Sequence, residues 1–338
     1  ARDELIKYEE LDVLGDVSRP SYTDTRGIYV SNSYRITISN CRVHHTPGGG
    51  IRVSYTEYVD IIHNEVHDTS RKSYSGTHAL VVTYTSDDMD GNRSGQAIYR
   101  ARIMGNLVHN NYNEIYSWAP GKTFIHTGID EGKGISLQRN NVWNHGGRIL
   151  VANNLAAYNG YSGVHSNDGD NIDFFSNTAF MNSYTTAVTY GYKKGGSKVG
   201  ISLAGGDNCR IGNNIVVVDV DTGGAPIVVT DDTTNVKVHT NIVWGTTTNN
   251  SELKLDLTQG EKNIIVENPL LARPADGKYQ LLSQVTAIDF VPDEDSPAIG
   301  AGKPRFATET DYYGHGRDSS NPTIGGIENP HHHLQNSS

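Results

Sequence analysis

The chain has 338 residues, a formal net charge of -10 and 36 glycines against 3 methionines, with a mean hydropathy of -0.50; long amphipathic helices are excluded as its main architecture. The acidic total gives no reason to bind nucleic acid or an anionic membrane, and no apolar run reaches the roughly 18 residues of a membrane span. Cys41 and Cys209 are too few for a disulfide framework.

The first ten residues, ARDELIKYEE, are too charged for a secretion signal and read as a mature or trimmed end of a secreted protein. Self-similar segments follow. RGIYVSNSYRITISNCRV (26–43) aligns with GGIRVSYTEYVDIIHNEV (49–66), and SGVHSNDGDNIDFFSNTA (162–179) with VGISLAGGDNCRIGNNIV (199–216). In all four, fourteen positions lead from a glycine to an Asn or Cys, and the shortest period, Gly27 to Gly50, is 23 residues. That length suits one coil of a three-sided solenoid, each coil burying its apolar face against its neighbours. The expected class is all-β: a single-domain right-handed parallel β-helix over 1–271 with inserted loops, and an irregular cap and tail over 272–338. The cap is expected to cover an open end, which would otherwise be an unpaired sheet edge.

Two imperfect coils complete a column of Gly27, Gly50, Ala79, Gly134, Gly163 and Gly200. The next position, Ile28, Ile51, Leu80, Ile135, Val164 and Ile201, is aliphatic throughout, and the one after, Tyr29, Arg52, Val81, Ser136, His165 and Ser202, is mixed. This alternation predicts aliphatic columns in the core and the mixed column outside. A further column, Cys41, Asn64, Asn106, Asn154, Asn177, Asn214 and Asn241, reads as a structural asparagine ladder. Long coils place loops at about 85–98, 110–130, 141–149 and 183–197. The last carries Tyr190 and Tyr192 beside Lys193 and Lys194, a composition suited to holding sugars and carboxylates.

Two residues before the glycine column stand Tyr161 and Lys198 on consecutive coils; one residue before it stand Arg26, His78 and Lys133. Adjacent strands lie about 4.8 Å apart, so these side chains are expected as neighbours on one face with His165 and Arg52. The set suits β-elimination on a uronic acid. A lysine among cations has its pKa lowered and becomes a usable base, a phenol beside it protonates the leaving oxygen, and fixed cations stabilise charge on the carboxylate. Lys198 and Tyr161 are the expected catalytic pair, their acid and base roles interchangeable at this stage. Lys133, His165, Arg52, His78, Tyr190 and Tyr192 are expected to bind substrate.

Other groupings are weaker. His44, His67 and His109 each fall three residues after a ladder position and read as a solvated stack rather than a metal site. Asp87, Asp88 and Asp90 lack the closing Glu of a calcium loop. Asp130 and Glu131, adjacent on a strand, point apart. No metal or other cofactor is expected to be required, with calcium left open but without a clear site. His331, His332 and His333 are set aside as either natural or tag-like.

GIDEGKGISL (128–137), NGYSGVHSNDGDNIDFFSNTAFMN (159–182) and KVGISLAGGDNCRIGNNI (198–215) resemble the β-helix alginate lyases of polysaccharide lyase family 31, over about residues 20–245. SPAIGAG (296–302), DYYGHGRD (311–318) and TIGGIEN (323–329) resemble the closing segment of many secreted polysaccharide-active β-helices. The resemblance implies a Tyr and a Lys in proton transfer, at positions that match Tyr161 and Lys198. It departs at Asp130-Glu131-Gly132-Lys133-Gly134, where relatives often carry DGNG; Lys133 there alters the charge of a subsite. The expectation is a secreted, monomeric carbon–oxygen lyase acting on an acidic polysaccharide, alginate first, with glucuronan and pectate open and endo or exo cleavage undecided. A polyuronate C5-epimerase, a β-helix glycoside hydrolase and a non-catalytic carbohydrate-binding β-helix stand as alternatives.

Overall fold

The computed structural model describes residues 25–73, 77–85, 99–113, 132–141, 147–183, 199–218, 225–245, 256–257, 262–273 and 284–329. Short strands stack in parallel on three faces. The first face is an eight-stranded sheet: Ile28–Ser31, Ile51–Ser54, Leu80–Thr83, Ile135–Gln138, Val164–Asn167, Val199–Ala204, Ala225–Val229 and Asp256–Leu257. The second begins with Tyr34–Ser39 and Glu57–Ile62, the third with Arg42–His44 and Glu65–His67, and the long strand Lys237–Gly245 joins these two faces into one 14-stranded sheet. Strands return to the same sheet through parallel crossovers, which L-residue chains make right-handed. The fold is a right-handed parallel β-helix.

The registers confirm the columns. Ile28 pairs with Ile51, Ile51 with Leu80, Leu80 with Ile135, Ile135 with Val164 and Val164 with Ile201. One buried cluster runs from Ile38 to Val243 inside the three faces. The glycine column marks where the chain passes close to that core: a methyl group at Gly50 would run into Val66 and the Ala79 carbonyl.

Between the second and third faces each coil turns through a residue in the left-handed region, such as Asn40 at φ 54°, Asn153 at 55° and Asn213 at 55°. That kink takes the following N–H out of the sheet ladder, and the asparagine ladder satisfies it. Cys41 N–H donates to Asn64 Oδ1 at 3.0 Å, Asn64 N–H to Asn106, and so on through Asn154, Asn177 and Asn214 to Asn241. Each Nδ2 also donates to a backbone carbonyl, as Asn177 does to Val151 at 2.9 Å. A second ladder, not anticipated, uses the same device after the third face: Thr69, Asn111, Asn159 and Asn182, again after left-handed residues, Asp68, Asn110, Tyr158 and Met181.

The C-terminal segment departs from the expected end cap. Its described residues, 284–329, lie on the outside of the third face and of its turn from the second, where Phe306 packs with Leu150, Ala152 and Phe175. Ile324, Ile327 and Phe290 pack with Leu107, Leu155, Phe180, Ile215 and Ile242, and Gly326 N–H donates to Thr178 Oγ1 at 3.1 Å. The cause is in the outward columns, which turn from Arg42, Glu65 and three histidines into Leu, Ile, Ala and Phe farther along; an apolar outer face needs a cover. Buried Arg317 fixes the segment, donating to Glu328 at 3.1 Å, to the Thr323 and Gly325 carbonyls and to Asn153 Oδ1 at 2.9 Å. No helix among the described residues is long and apolar enough to cross a membrane.

Candidate active site

The outer surface of the first face carries a cleft of about 330 Å³. Its lining crosses the sheet. Arg26, His78 and Lys133 enter from the residue before the glycine column, Arg52 and His165 from the outward strand position, and Tyr84 and Arg139 from just past the strand ends. Four fixed cations, Arg26, Arg52, Lys133 and Arg139, share this cleft, and no carboxylate is among its described lining residues. Gly49, on the second coil, contributes no side chain to the column that holds His78 and Lys133, and so leaves room.

The expected substrate-binding residues Arg52, His78, Lys133 and His165 are thus brought together. Tyr161 stands one coil beyond Lys133, whose Nζ lies 4.4 Å from the Tyr161 ring centroid, a cation–π distance. The ring also meets His165 edge-on at 6.4 Å between centroids. Lys198, Tyr190 and Tyr192 lie outside the described residues, as do Asp87, Asp88, Asp90, Asp130 and Glu131.

Burial and nearby cations hold both cleft histidines toward the neutral form. Burial holds His78 well below the ordinary imidazole range, and the charges of Lys133 and Arg52 push the same way. Burial and then Lys133 do the same to His165. His78 Nδ1 lies 3.4 Å from the Lys133 backbone N–H, and the ring also hydrogen-bonds the Thr77 backbone. His165 Nδ1 lies 2.7 Å from Ser202 Oγ, which reaches Ser162 Oγ at 3.4 Å. Two imidazoles beside fixed cations can exchange protons with a bound substrate.

Sequence reasoning missed the far edge of the cleft. Tyr55 and Tyr84 stack with centroids 4.9 Å apart and planes 7° apart, and Arg139 Nη1 donates to the Tyr84 hydroxyl at 2.7 Å. The signal was present in VSYT (53–56) and VTYT (82–85), one coil apart. The expectation of a solvated histidine stack also fails in part. His44, His67 and His109 do stack, with centroids 5.0 and 4.9 Å apart, but only His44 is exposed, while His67 and His109 are buried. Arg42 donates to His67 Nε2 at 3.3 Å, and Glu65 Oε1 lies 3.5 Å from His109 Nε2.

No protein-family model and no curated protein sequence matches the chain. Among solved structures, one described as the complex of XylC with xylose superposes at a TM-score of 0.46 with 15% sequence identity, covering 90% of this chain and 48% of that one. The chain therefore spans about half the length of that structure. The fold assignment stands on the chain's own strand pairing.

Proposed function

We propose that the chain is a polysaccharide lyase, acting outside the cell, that cleaves a uronic-acid polymer by β-elimination, with alginate the first substrate to try. The observation that carries this reading is the cleft: four fixed cations and two neutral histidines, with no carboxylate among its described lining, in a chain of net charge -10. A polygalacturonase-type hydrolase needs a pair of carboxylates at its bond of attack. A cationic, carboxylate-free cleft suits an anionic substrate whose own carboxylate must be stabilised.

In the reaction a base takes the C5 proton, the electron pair left on C5 forms the C4–C5 double bond, and the C4–O4 bond breaks as O4 takes a proton. Arg52 stabilises the charge that grows on the C6 carboxylate, and Lys133 holds the substrate by a charge contact at a subsite. Tyr161 and Lys198 are proposed for the proton transfers. A specific observation supports a second assignment of the base. His165 lines the cleft with Nδ1 2.7 Å from Ser202 Oγ and its ring edge-on to Tyr161, and positioned histidines are the commonest general bases.

The test is a panel of alginate, glucuronan and pectate followed by ultraviolet absorbance and, in deuterated water, by label uptake at C5. A lyase makes the conjugated unsaturated uronate. Label uptake without that chromophore is an epimerase, and new reducing ends without it are a hydrolase; either result, or binding with no turnover, overturns the proposal. The base assignment is read from the pH profile. A histidine base loses activity on the acid side, and His165→Gln then removes the activity that Lys198→Ala spares.

A further inference from the structure

The turn that leaves the third face on the first two coils gathers metal-capable side chains far from the cleft. His44 pairs in register with His67, so His45 and Asp68 occupy equivalent left-handed turn positions, at φ 54° and 51°. The coil repeat therefore sets two histidine-plus-ligand pairs, His44-His45 and His67-Asp68, on adjacent rungs. We propose that this turn is a transition-metal site, with His45, His67 and Asp68 as ligands to zinc or a similar divalent ion.

Three observations support it. One donor atom from each of the three residues falls within a single 4.8 Å group. His67 Nδ1 and Asp68 Oδ2 stand 2.8 Å apart in a hydrogen bond, so an ion at about 2.0–2.2 Å from each donor displaces that proton, opens the pair slightly and draws in the exposed His45 ring. The supporting contacts are also in place. Arg71 donates to Asp68 Oδ1 at 2.7 Å, which orients the carboxylate and leaves Oδ2 toward His67. His67 Nε2 accepts from Arg42 Nε at 3.3 Å; once Nδ1 binds metal, Nε2 carries the ring's remaining proton, so Arg42 releases it and Glu65 Oε1, 3.9 Å away, takes the N–H in a carboxylate–histidine–metal arrangement. Arg42 keeps Glu65 as its partner at 3.1 Å. His44 Nδ1, 2.9 Å from His45 Nδ1, holds the second imidazole. Finally, a hollow of about 290 Å³ lined by His45, Thr46, Pro47, Asp68, Arg71 and Lys72 opens beside the ligands. Three protein ligands with space beside them match an open zinc site, and two imidazoles with one carboxylate favour zinc over calcium or magnesium.

The probe is zinc itself, titrated calorimetrically into the full chain carrying His331→Ala, His332→Ala and His333→Ala, so that the terminal run takes no ion. One equivalent is expected to bind and to raise the melting temperature. His45→Ala, at an exposed ring, is expected to keep the fold and the metal-free melting temperature while losing both the binding and the zinc-induced rise. Glu65→Gln should weaken binding by about 10–100-fold. Absence of zinc binding, or binding and thermal gain unchanged by His45→Ala, would overturn the site.

Discussion

At the cleft a few side chains divide the labour, and the division is testable one residue at a time. Tyr161 keeps part of its surface exposed while its ring rests against Lys133. If the phenol transfers a proton in the rate-limiting step, Tyr161→Phe should lower kcat by about 10²–10⁴-fold with little change in KM. Lys198→Ala should do the same, and the double variant should be little worse than either, since both groups serve one transition state. Single variants that stay folded with near-full activity would move the chemistry to His165. The two histidines also tie stability to pH. Their pKa values lie well below that of the unfolded imidazole, so the unfolded chain binds the protons the native cleft refuses. Their contribution is complete above the unfolded value of about 6.5 and is lost as pH falls below it toward the folded values. Thermal melts across that window should show an acid-side loss that His165→Gln reduces; an unchanged slope would mean that His165 is not held neutral.

At the scale of the element, how much could be read in advance depended on whether a signal kept the coil period. Ile28 to Ile201 recur one residue after the glycine column, Cys41, Asn64, Asn177 and Asn214 fourteen after it, and the registers and the asparagine bonds reproduce both columns. The pairing of His78 and Lys133 with Arg52 and His165 was legible for the same reason. Tyr84 and Arg139 also keep the period, four residues past Leu80 and Ile135, but their column (Tyr55, Tyr84, Arg139, Asp168) mixes residue types and so carries no aliphatic or asparagine signature. The second ladder was hidden differently: its first rung is Thr69 and only its later rungs are Asn. The placement of residues 284–329 follows from which outward positions are apolar, a pattern that makes sense only once the third face has been assembled. Both ladders predict a structural cost with no catalytic one. Asn177→Ala removes bonds to Asn214, Val151 and the Asn154 backbone. Asn159→Ala removes the equivalent set. Each should cost about 1–3 kcal/mol by leaving buried turn groups unpaired. Denaturant melts check this, and a fall in kcat at unchanged stability would mean that the ladder position serves the chemistry.

For the whole molecule, the central tension is electrostatic: a chain of net charge -10 builds one cleft of cations. The global field repels a polyanion, so capture rests on close contacts within about a Debye length, roughly 8–10 Å at moderate salt. Lys133→Ala should therefore raise KM more than it lowers kcat. The effect should shrink as salt screens the charge that was removed, and a KM ratio independent of salt would show that Lys133 acts through its packing on Tyr161. The β-helix supplies what such a site needs, a rigid row of side chains repeating along a polymer's length, with neutral histidines set between the cations. The most direct measurement is the ultraviolet progress curve of the purified chain with alginate, wild type beside Tyr161→Phe. The account predicts a steady rise from the conjugated unsaturated uronate for the wild type and a nearly flat trace for the variant. A flat wild-type trace with alginate, glucuronan and pectate alike, or a rise that Tyr161→Phe leaves intact, would contradict it.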